Sequence, residues 1–307
     1  MMEQSLIVFV EVAEMRNFSR AAERLHMTQP AVSQHIRALE ERLNARLLVR
    51  SNKSVALTKA GEIVLHHALE IGELYRRMGE MVDELIGHAG GPLSVGASYT
   101  FGEYVLPRTL AKLHGKYPDI RPSVVIGNTA DIAEKVRTRA LDVGIVEGEE
   151  IGPGLETEKL AEDEMHVAAA ADHPLADLSR IGPSLLERQP WLVRERGSGT
   201  RAAADKLFES LGIQPARLME LGSTQSIKET VEAGLGISLL SRWALRKELR
   251  IGSLKTLRAE GLPFRRSFHI LSRRGDLRTR TVEAFLEILR GVTDEMLAED
   301  DRNRQPS

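Results

Sequence analysis

The sequence predicts a multidomain α+β chain: a small N-terminal helical unit with a β wing, one long connecting helix, and a C-terminal module of two α/β units around a cleft. Three observations predict it. Residues 18–43, FSRAAERLHMTQPAVSQHIRALEERL, read as two short helices joined by a tight turn. Residues 59–88 hold one unbroken apolar stripe at helical spacing. Beyond a break at 88–92, HAGGP, the pattern changes to strands alternating with helices. A length of 307 residues suits two or more domains, and 42% hydrophobic residues is ample for packed cores.

The first helix is expected over 3–15, with Leu6, Phe9, Val10 and Ala13 at i, i+3, i+4 and i+7. It packs on the helical pair as the third member of a small core. In that pair, Ser19 stands where it caps the first helix, whose apolar side is Ala21, Ala22 and Leu25. His26 and Met27 end it. Thr28 then caps a second helix, with Pro30 in the first turn, where a missing N–H costs nothing. Val32, Ile36, Leu39 and Leu43 follow at spacings of 4, 3 and 4 and make one buried stripe. The opposite face carries Gln29, Ser33, Gln34 and Arg37, side chains that reach base edges or phosphates. An ordinary helical hairpin more often shows Glu/Lys pairs there.

Residues 46–58, RLLVRSNKSVALT, read as two short strands around the polar tip Ser51-Asn52-Lys53-Ser54, which completes a winged helix-turn-helix. Arg50 and Lys53 on this wing are candidate phosphate contacts; a solvated hairpin tip is the ordinary alternative. The charge distribution favours contact with nucleic acid. Residues 18–60 hold eight Lys and Arg against three Glu, a local excess of five positive charges, while the whole chain carries −2 and the remainder therefore −7. Phosphate attraction follows the local patch rather than the total.

The helix expected over 59–88 carries Val64, Ala68, Ile71, Tyr75, Met78, Val82 and Leu85 at alternating spacings of 4 and 3, a strict 3.5-residue repeat. A helix between two domains has little of its own chain to bury such a seam, so dimerisation through these seven residues is the better reading. Paired recognition helices also suit paired half-sites. After the break, strands are expected over 93–97, 123–127 and 143–146, with helices over 103–116 and 130–140. A second set has strands over 165–170, 191–194, 218–221 and 237–240 and helices near 201–211 and 224–233. A strand over 268–272 and a helix over 278–290, carrying Val282, Phe285, Leu286 and Leu289, end the pattern. Such alternation implies mainly parallel sheets.

Open parallel sheets bind ligands beyond the carboxyl ends of their strands, beside helix N-termini. Four junctions here carry small hydroxyl or amide residues: Ser98 and Thr100; Asn128 and Thr129; Ser198, Gly199 and Thr200; Ser223 and Thr224. Each alone reads as a helix cap. Converging on one cleft, they make an anion site of hydroxyls and backbone N–H groups, with Arg201 adding charge. Glu147, at the end of the third strand, argues against a uniformly positive pocket.

Catalytic signatures are absent: there is no GxxxxGK[ST], HExxH or SxxK. Gly234-Leu235-Gly236 lacks the third glycine of a dinucleotide fingerprint, and Gly197-Ser198-Gly199 is no GxSxG elbow. The sequence is therefore not that of an enzyme, and no cofactor is implied. With no cysteine there is no disulfide or thiolate zinc site; the nine histidines are scattered, with His66 and His67 directed to different faces of the long helix, so no metal site is expected. No basic start precedes an apolar run and no stretch approaches the ~20 apolar residues of a membrane span, so a cytoplasmic protein with no membrane partner is expected.

With these pieces in order, the chain resembles a LysR-type transcriptional regulator over nearly its full length. The matching segments are FSRAAERLHMTQPAVSQHIRALEERLNARLLVR at 18–50, LTKAG at 57–61, RERGSGTR at 194–201 and VEAGLGISLLS at 231–241. GASYTFGEYVLP, GNT and RERGSGTR look like the branch that includes Calvin-cycle and sulfur-assimilation regulators, which respond to small anions or phosphorylated metabolites. The resemblance implies a winged helix-turn-helix over 1–58, a linker and dimerisation helix with hinge over 59–91, and an effector module like type 2 periplasmic binding proteins. In that module the chain crosses twice, giving subdomain I as 92–161 plus 266–296, subdomain II as 162–265, and a flexible tail over 297–307. It implies double-stranded promoter DNA, a small anionic effector that alters promoter binding or bending, a homodimer assembling to a homotetramer, and RNA polymerase as a further partner. By position, Thr28, Gln29, Pro30, Ser33, Gln34 and Arg37 match the family's DNA-facing residues; Ser19, Arg20, Arg50 and Lys53 are further DNA-binding candidates beside them. Ser98, Thr100, Thr129 and Thr200 match the family's effector-cleft positions, and Asn128, Ser198, Gly199, Arg201 and Thr224 join them as candidates from the junctions above. The wing departs from the family, with Leu48-Val49-Arg50 in place of the commoner Leu-Phe-x-Arg.

Overall fold

The computed structural model describes residues 3–50, 55–85, 89–148 and 152–302. The chain divides into two compact units, Met1–Gly87 and His88–Ser307. The first contains α1 (Gln4–Met15), α2 (Phe18–Arg24), α3 (Gln29–Arg42), the antiparallel pair β1 (Leu48–Arg50) and β2 (Val55–Leu57), and α4 (Lys59–Leu85). Its core gathers Val8, Phe9, Val12, Ala21, Val32, Ile36, Leu39 and Leu47, with Val64 and Leu65 from the first turns of α4 packed against them. The wing tip 51–54 and residues 86–88 lie outside the described residues, as do Lys53 and the side chains of Arg50 and Leu85.

Four local expectations in this unit need correcting. The N-cap of α2 is Asn17, not Ser19: Asn17 Oδ1 accepts from the Ser19 and Arg20 amides at 2.9 and 3.1 Å, leaving Ser19 inside the first turn. The buried face of α1 is Val8, Phe9, Val12 and Ala13, with Leu6 and Val10 only partly buried, because α1 is wedged among α2, α3 and α4. Leu43 is 43% exposed: it is the C-cap of α3, where the chain leaves the helix and turns through Asn44 at φ 47°. His66 and His67 do not diverge. Glu70, one turn on, faces both, 2.9 Å from His67 Nδ1 and 3.8 Å from His66 Nε2.

The second unit contains β3 (Gly91–Ser98), α5 (Tyr99–Tyr104), α6 (Leu106–Lys116), β4 (Ile120–Gly127), α7 (Thr129–Arg137), β5 (Val143–Glu147) and the 16-residue β6 (Leu155–Ala170). It continues through α8 (Pro183–Glu187), β7 (Trp191–Val193), α9 (Gly199–Leu211), β8 (Leu218–Glu220), α10 (Thr224–Glu232), β9 (Ser238–Ser241) and α11 (Arg242–Ile251). β10 (Leu254–Thr256), β11 (Phe264–Arg273) and α12 (Arg280–Arg302) complete it. Where one helix was expected over 103–116 there are two, because Pro107 lacks the N–H to continue α5 and instead occupies the first turn of α6.

The main sheet has the order β10-β6-β11-β5-β3-β4, with β9 also on β6. The expectation of mainly parallel sheets is wrong here. β3 is parallel to β4 and β5, but β11 returns antiparallel along β6 and β5, and β9 and β10 are antiparallel to β6. A chain that runs out along one long strand and back along its neighbour has no other option. Separate cores lie along this sheet, one around Phe101, Trp243, Phe268 and Phe285, another around Trp191, Phe208 and Leu239. The segment 297–302, expected to be flexible, is helical. α12 holds Val292 and Met296 in the first core, and Lys112–Glu295 and Arg108–Glu299 ion pairs tie its last turns to α6. Residues 303–307 lie outside the described ones.

Candidate nucleic-acid interface and ligand cleft

α3 starts where Thr28 Oγ1 accepts from the Ala31 amide and Pro30 occupies the first turn. Thr28, Gln29, Pro30, Gln34 and Arg37 are exposed, as are Ser19 and Arg20. Ser33 is not on that open face. It is 8% exposed, and its hydroxyl accepts from Gln29 Nε2 at 3.0 Å. Its neighbours in sequence, Val32 on one side and Ile36 one turn on, put it at the margin of the buried stripe. The helix thus presents amides at its N-terminal end and a guanidinium at its middle, above a shallow cavity of about 370 Å3 bordered by Arg37, Glu40, Glu41 and Arg46.

In the second unit, β4, β3 and β5 end side by side at Gly127, Ser98 and Glu147. Ser98 is the N-cap of α5, but its buried hydroxyl has no hydrogen-bond partner among the described residues, and neither has Oε1 of the buried Glu147. Asn128 caps α7 by accepting from the Asp131 amide, and Thr129 Oγ1 donates to the Glu147 carbonyl at 3.1 Å. Ser198 caps α9 by accepting from the Thr200 amide. Gly199 has no room for a side chain: a Cβ there would lie 2.8 Å from Glu147. That close approach brings the α9 N-terminus onto the end of β5.

These junctions meet at Arg266, on β11. Its Nε donates to Asp163 Oδ2 at 2.7 Å, Nη1 to Thr200 Oγ1 and Nη2 to Thr100 Oγ1, both at 3.1 Å, and Glu147 Oε1 lies 3.6 Å from Nη2. Asp163 also accepts from Ser241 Oγ at 2.7 Å. Burial pushes the Asp163 carboxyl up, against the opposing pull of the Arg266 guanidinium and the Ser241 hydroxyl. A cavity of about 750 Å3 opens beside this group, lined by Thr129, Glu147, Arg196, Ser198, Arg201 and Arg266 among others.

Other expected cleft residues stand differently. Arg201 lines the cavity, but its charge is committed to Asp205 at 2.9 Å and Glu220 at 3.4 Å. Thr224 does not join the Arg266 group. It accepts from Arg194 Nη1 at 3.4 Å, within a second cluster in which the Arg194 guanidinium lies 4.2 Å from the centre of the Tyr99 ring and pairs with Glu195. In the first unit, His66, His67 and Glu70 bring metal-binding atoms within 4.8 Å of one another, the two histidines exposed and Glu70 half-buried.

Comparison with known proteins decides what this architecture is. Residues 4–62 match the family model of the bacterial regulatory helix-turn-helix protein, lysR family, and residues 87–294 match the LysR substrate binding domain. The chain belongs to the LysR family of transcriptional regulators. Among curated relatives of this regulator, HTH-type transcriptional regulator CysL of Bacillus subtilis is 37% identical over 93% of this chain and 95% of its own. The RuBisCO operon transcriptional regulator of Allochromatium vinosum is 32% identical over 93% and 94%. Among solved structures, the Synechocystis CcmR regulatory domain in complex with 2-PG is 31% identical, with a TM-score of 0.62, and covers 67% of this chain and 99% of its own. The LysR-type regulator described here therefore has the helix-turn-helix and effector-binding modules of its relatives, which are regulators rather than enzymes. No helix among the described residues is long and apolar enough to cross a membrane.

Arg266 and Asp163 were not among the residues the sequence singled out. A signal for both was present. Ala161, Asp163, Met165 and Val167 alternate along β6, and Phe264, Arg266 and Phe268 along β11, so each strand puts one charge among apolar neighbours on one face. Arg266 and Asp163 are also direct cross-strand partners.

Proposed function

We propose that this regulator binds promoter DNA through Arg20, Thr28, Gln29, Pro30, Gln34 and Arg37, and that a small anion entering the cleft beside Arg266 changes its promoter binding or bending. The buried guanidinium carries the reading. It is held between Thr100 at the start of α5 and Thr200 at the start of α9. An anion that takes hydrogen bonds from those hydroxyls and from the helix N-termini changes what holds the two starts together. Division into 92–161 plus 266–296 and 162–265 puts Thr100 and Thr200 on different subdomains, with Asp163 and Arg266 on the two crossing strands. The CcmR domain bound to 2-PG, 2-phosphoglycolate, supports an anion of that class. Arg50 and Lys53 on the wing belong to the same DNA-facing set, with Ser33 acting through Gln29 rather than directly.

The reading extends to a homodimer. Ile71, Tyr75, Met78 and Val82 are 37–54% exposed along α4, a face that a second copy covers. It extends further to a tetramer of two such dimers, to RNA polymerase as partner at the promoter, and to the cytoplasm, where promoters are. The test of the cleft is thermal denaturation of the whole chain with 2-phosphoglycolate, inorganic phosphate or sulfate. A ligand at a hundred times its Kd adds about 2.7 kcal/mol of stability, and Thr100→Val and Thr200→Val each lower that gain. If none of the three anions raises the melting temperature, or both variants respond as the parent does, the anion cleft is refuted.

A further inference from the structure

A buried carboxylate stands in the last turn of α3, at the border of the cavity beside Arg37. Glu40 is 9% exposed in the last turn of α3, where the helix dipole disfavours a negative charge. Its Oε1 accepts from two successive backbone amides, Leu47 N at 2.8 Å and Leu48 N at 3.2 Å, where the chain enters the first wing strand. The carbonyls of the same segment are held from the other side. Thr58 Oγ1 donates to the Arg46 carbonyl at 2.6 Å, and the Thr58 amide donates to the Leu47 carbonyl at 3.0 Å. Thr58 Oγ1 in turn accepts from the Gly61 amide at 3.0 Å. A Cβ on Gly61 would lie 2.1 Å from the Leu47 carbonyl oxygen, so only glycine lets α4 start this close.

We infer that Glu40 is a positioning residue for DNA binding: through Leu47 and Leu48 it fixes the wing strands at a set angle to α3, so that helix and wing engage one duplex together. It touches no DNA itself. A strand held only by side-chain burial can slide or tilt against a helix. One held by two amides on one carboxylate oxygen and two carbonyls on Thr58 cannot do either without breaking a buried hydrogen bond. The segment also joins α3, the wing and the first turn of α4 in one hydrogen-bonded unit, so a rotation of that turn is passed to both.

A crossed pair of substitutions in the whole chain tests this, using the genomic duplex recovered by cross-linking the wild-type protein in cells. Glu40→Asp keeps the charge and shortens the reach; Glu40→Gln loses the charge and keeps an acceptor at Oε1. The expected result is that Glu40→Asp lowers affinity and makes the slope of log K against log salt shallower, by about 0.9 for each phosphate that the wing no longer neutralises. Backbone protection flanking the site disappears in that variant while protection at its centre stays. Amide exchange at Leu47 and Leu48 speeds up in the same sample. Glu40→Gln keeps the wild-type slope and footprint. The inference is overturned if Glu40→Asp keeps the wild-type slope, if Glu40→Gln is the variant whose slope falls, or if both variants weaken centre and flank together in proportion to the folded fraction.

Discussion

α4 and α12 are the two longest helices among the described residues, 27 and 23 residues, and both carry an apolar stripe. α12 buries its stripe within its own unit: Val282, Phe285, Leu286, Leu289, Val292 and Met296 are at most 6% exposed, packed with Leu106 and Leu113 of α6. Past Ala68, α4 does the reverse, with Ile71, Leu74, Tyr75, Met78 and Val82 between 37% and 54% exposed. The same periodicity thus produces a core in one place and an open face in the other. Spacing says which side of a helix is apolar; it does not say whether the covering surface belongs to the same chain.

That contrast can be broken experimentally. The largest effect is expected from Phe285→Ala, which opens a cavity in the core under α12 and costs about 3–5 kcal/mol in chemical denaturation. Stability untouched by that change would remove α12 from the core. Next comes Tyr75→Glu combined with Met78→Glu. On an exposed face these change the denaturation midpoint of the single chain little, by about 0.5 kcal/mol or less per site, yet they are expected to turn the dimer into a monomer in sedimentation. A dimer that survives them locates its interface elsewhere. Arg37→Ala is expected to weaken promoter binding by about 1–3 kcal/mol if the guanidinium makes a bidentate base contact, with sedimentation unchanged. An unaltered duplex titration takes Arg37 out of the interface. The smallest effect belongs to the surface of α12: Lys112→Ala removes the ion pair with Glu295, half-exposed at both ends, and costs about 0.2–1 kcal/mol, shrinking in high salt.

The sequence was most readable where local chemistry decides the outcome. Thr28 and Pro30 start α3 as expected because a cap and a proline act within one turn. Asn17 was missed in favour of Ser19 for the same kind of reason: both are good caps, and only the backbone path shows which one precedes the helix. Long-range geometry was less readable. The 16-residue β6 was expected only over its last six residues, because its first ten, LETEKLAEDE, are mostly polar and expose Glu156, Thr157, Lys159 and Glu162 without a clean alternation. α8 and β10 are too short to show a period and were not foreseen; α11 was missed although its sequence, RWALRKELRI, is amphipathic at helical spacing. In the cleft, Thr100 and Thr200 announce themselves as helix-start hydroxyls. The guanidinium that joins them comes from 66 residues beyond Thr200, in a strand whose pairing with β6 no local pattern specifies.

Arg266 carries one more consequence. Its donors are engaged within the protein by Asp163, Thr100 and Thr200. On the proposed function, an anion at this place exchanges one set of hydrogen bonds for another, and its affinity measures only the difference between them. The cleft is built as a balance rather than a trap. Small changes in ligand concentration would tip such a balance, and the proposed signal would be withdrawn as readily as it is given.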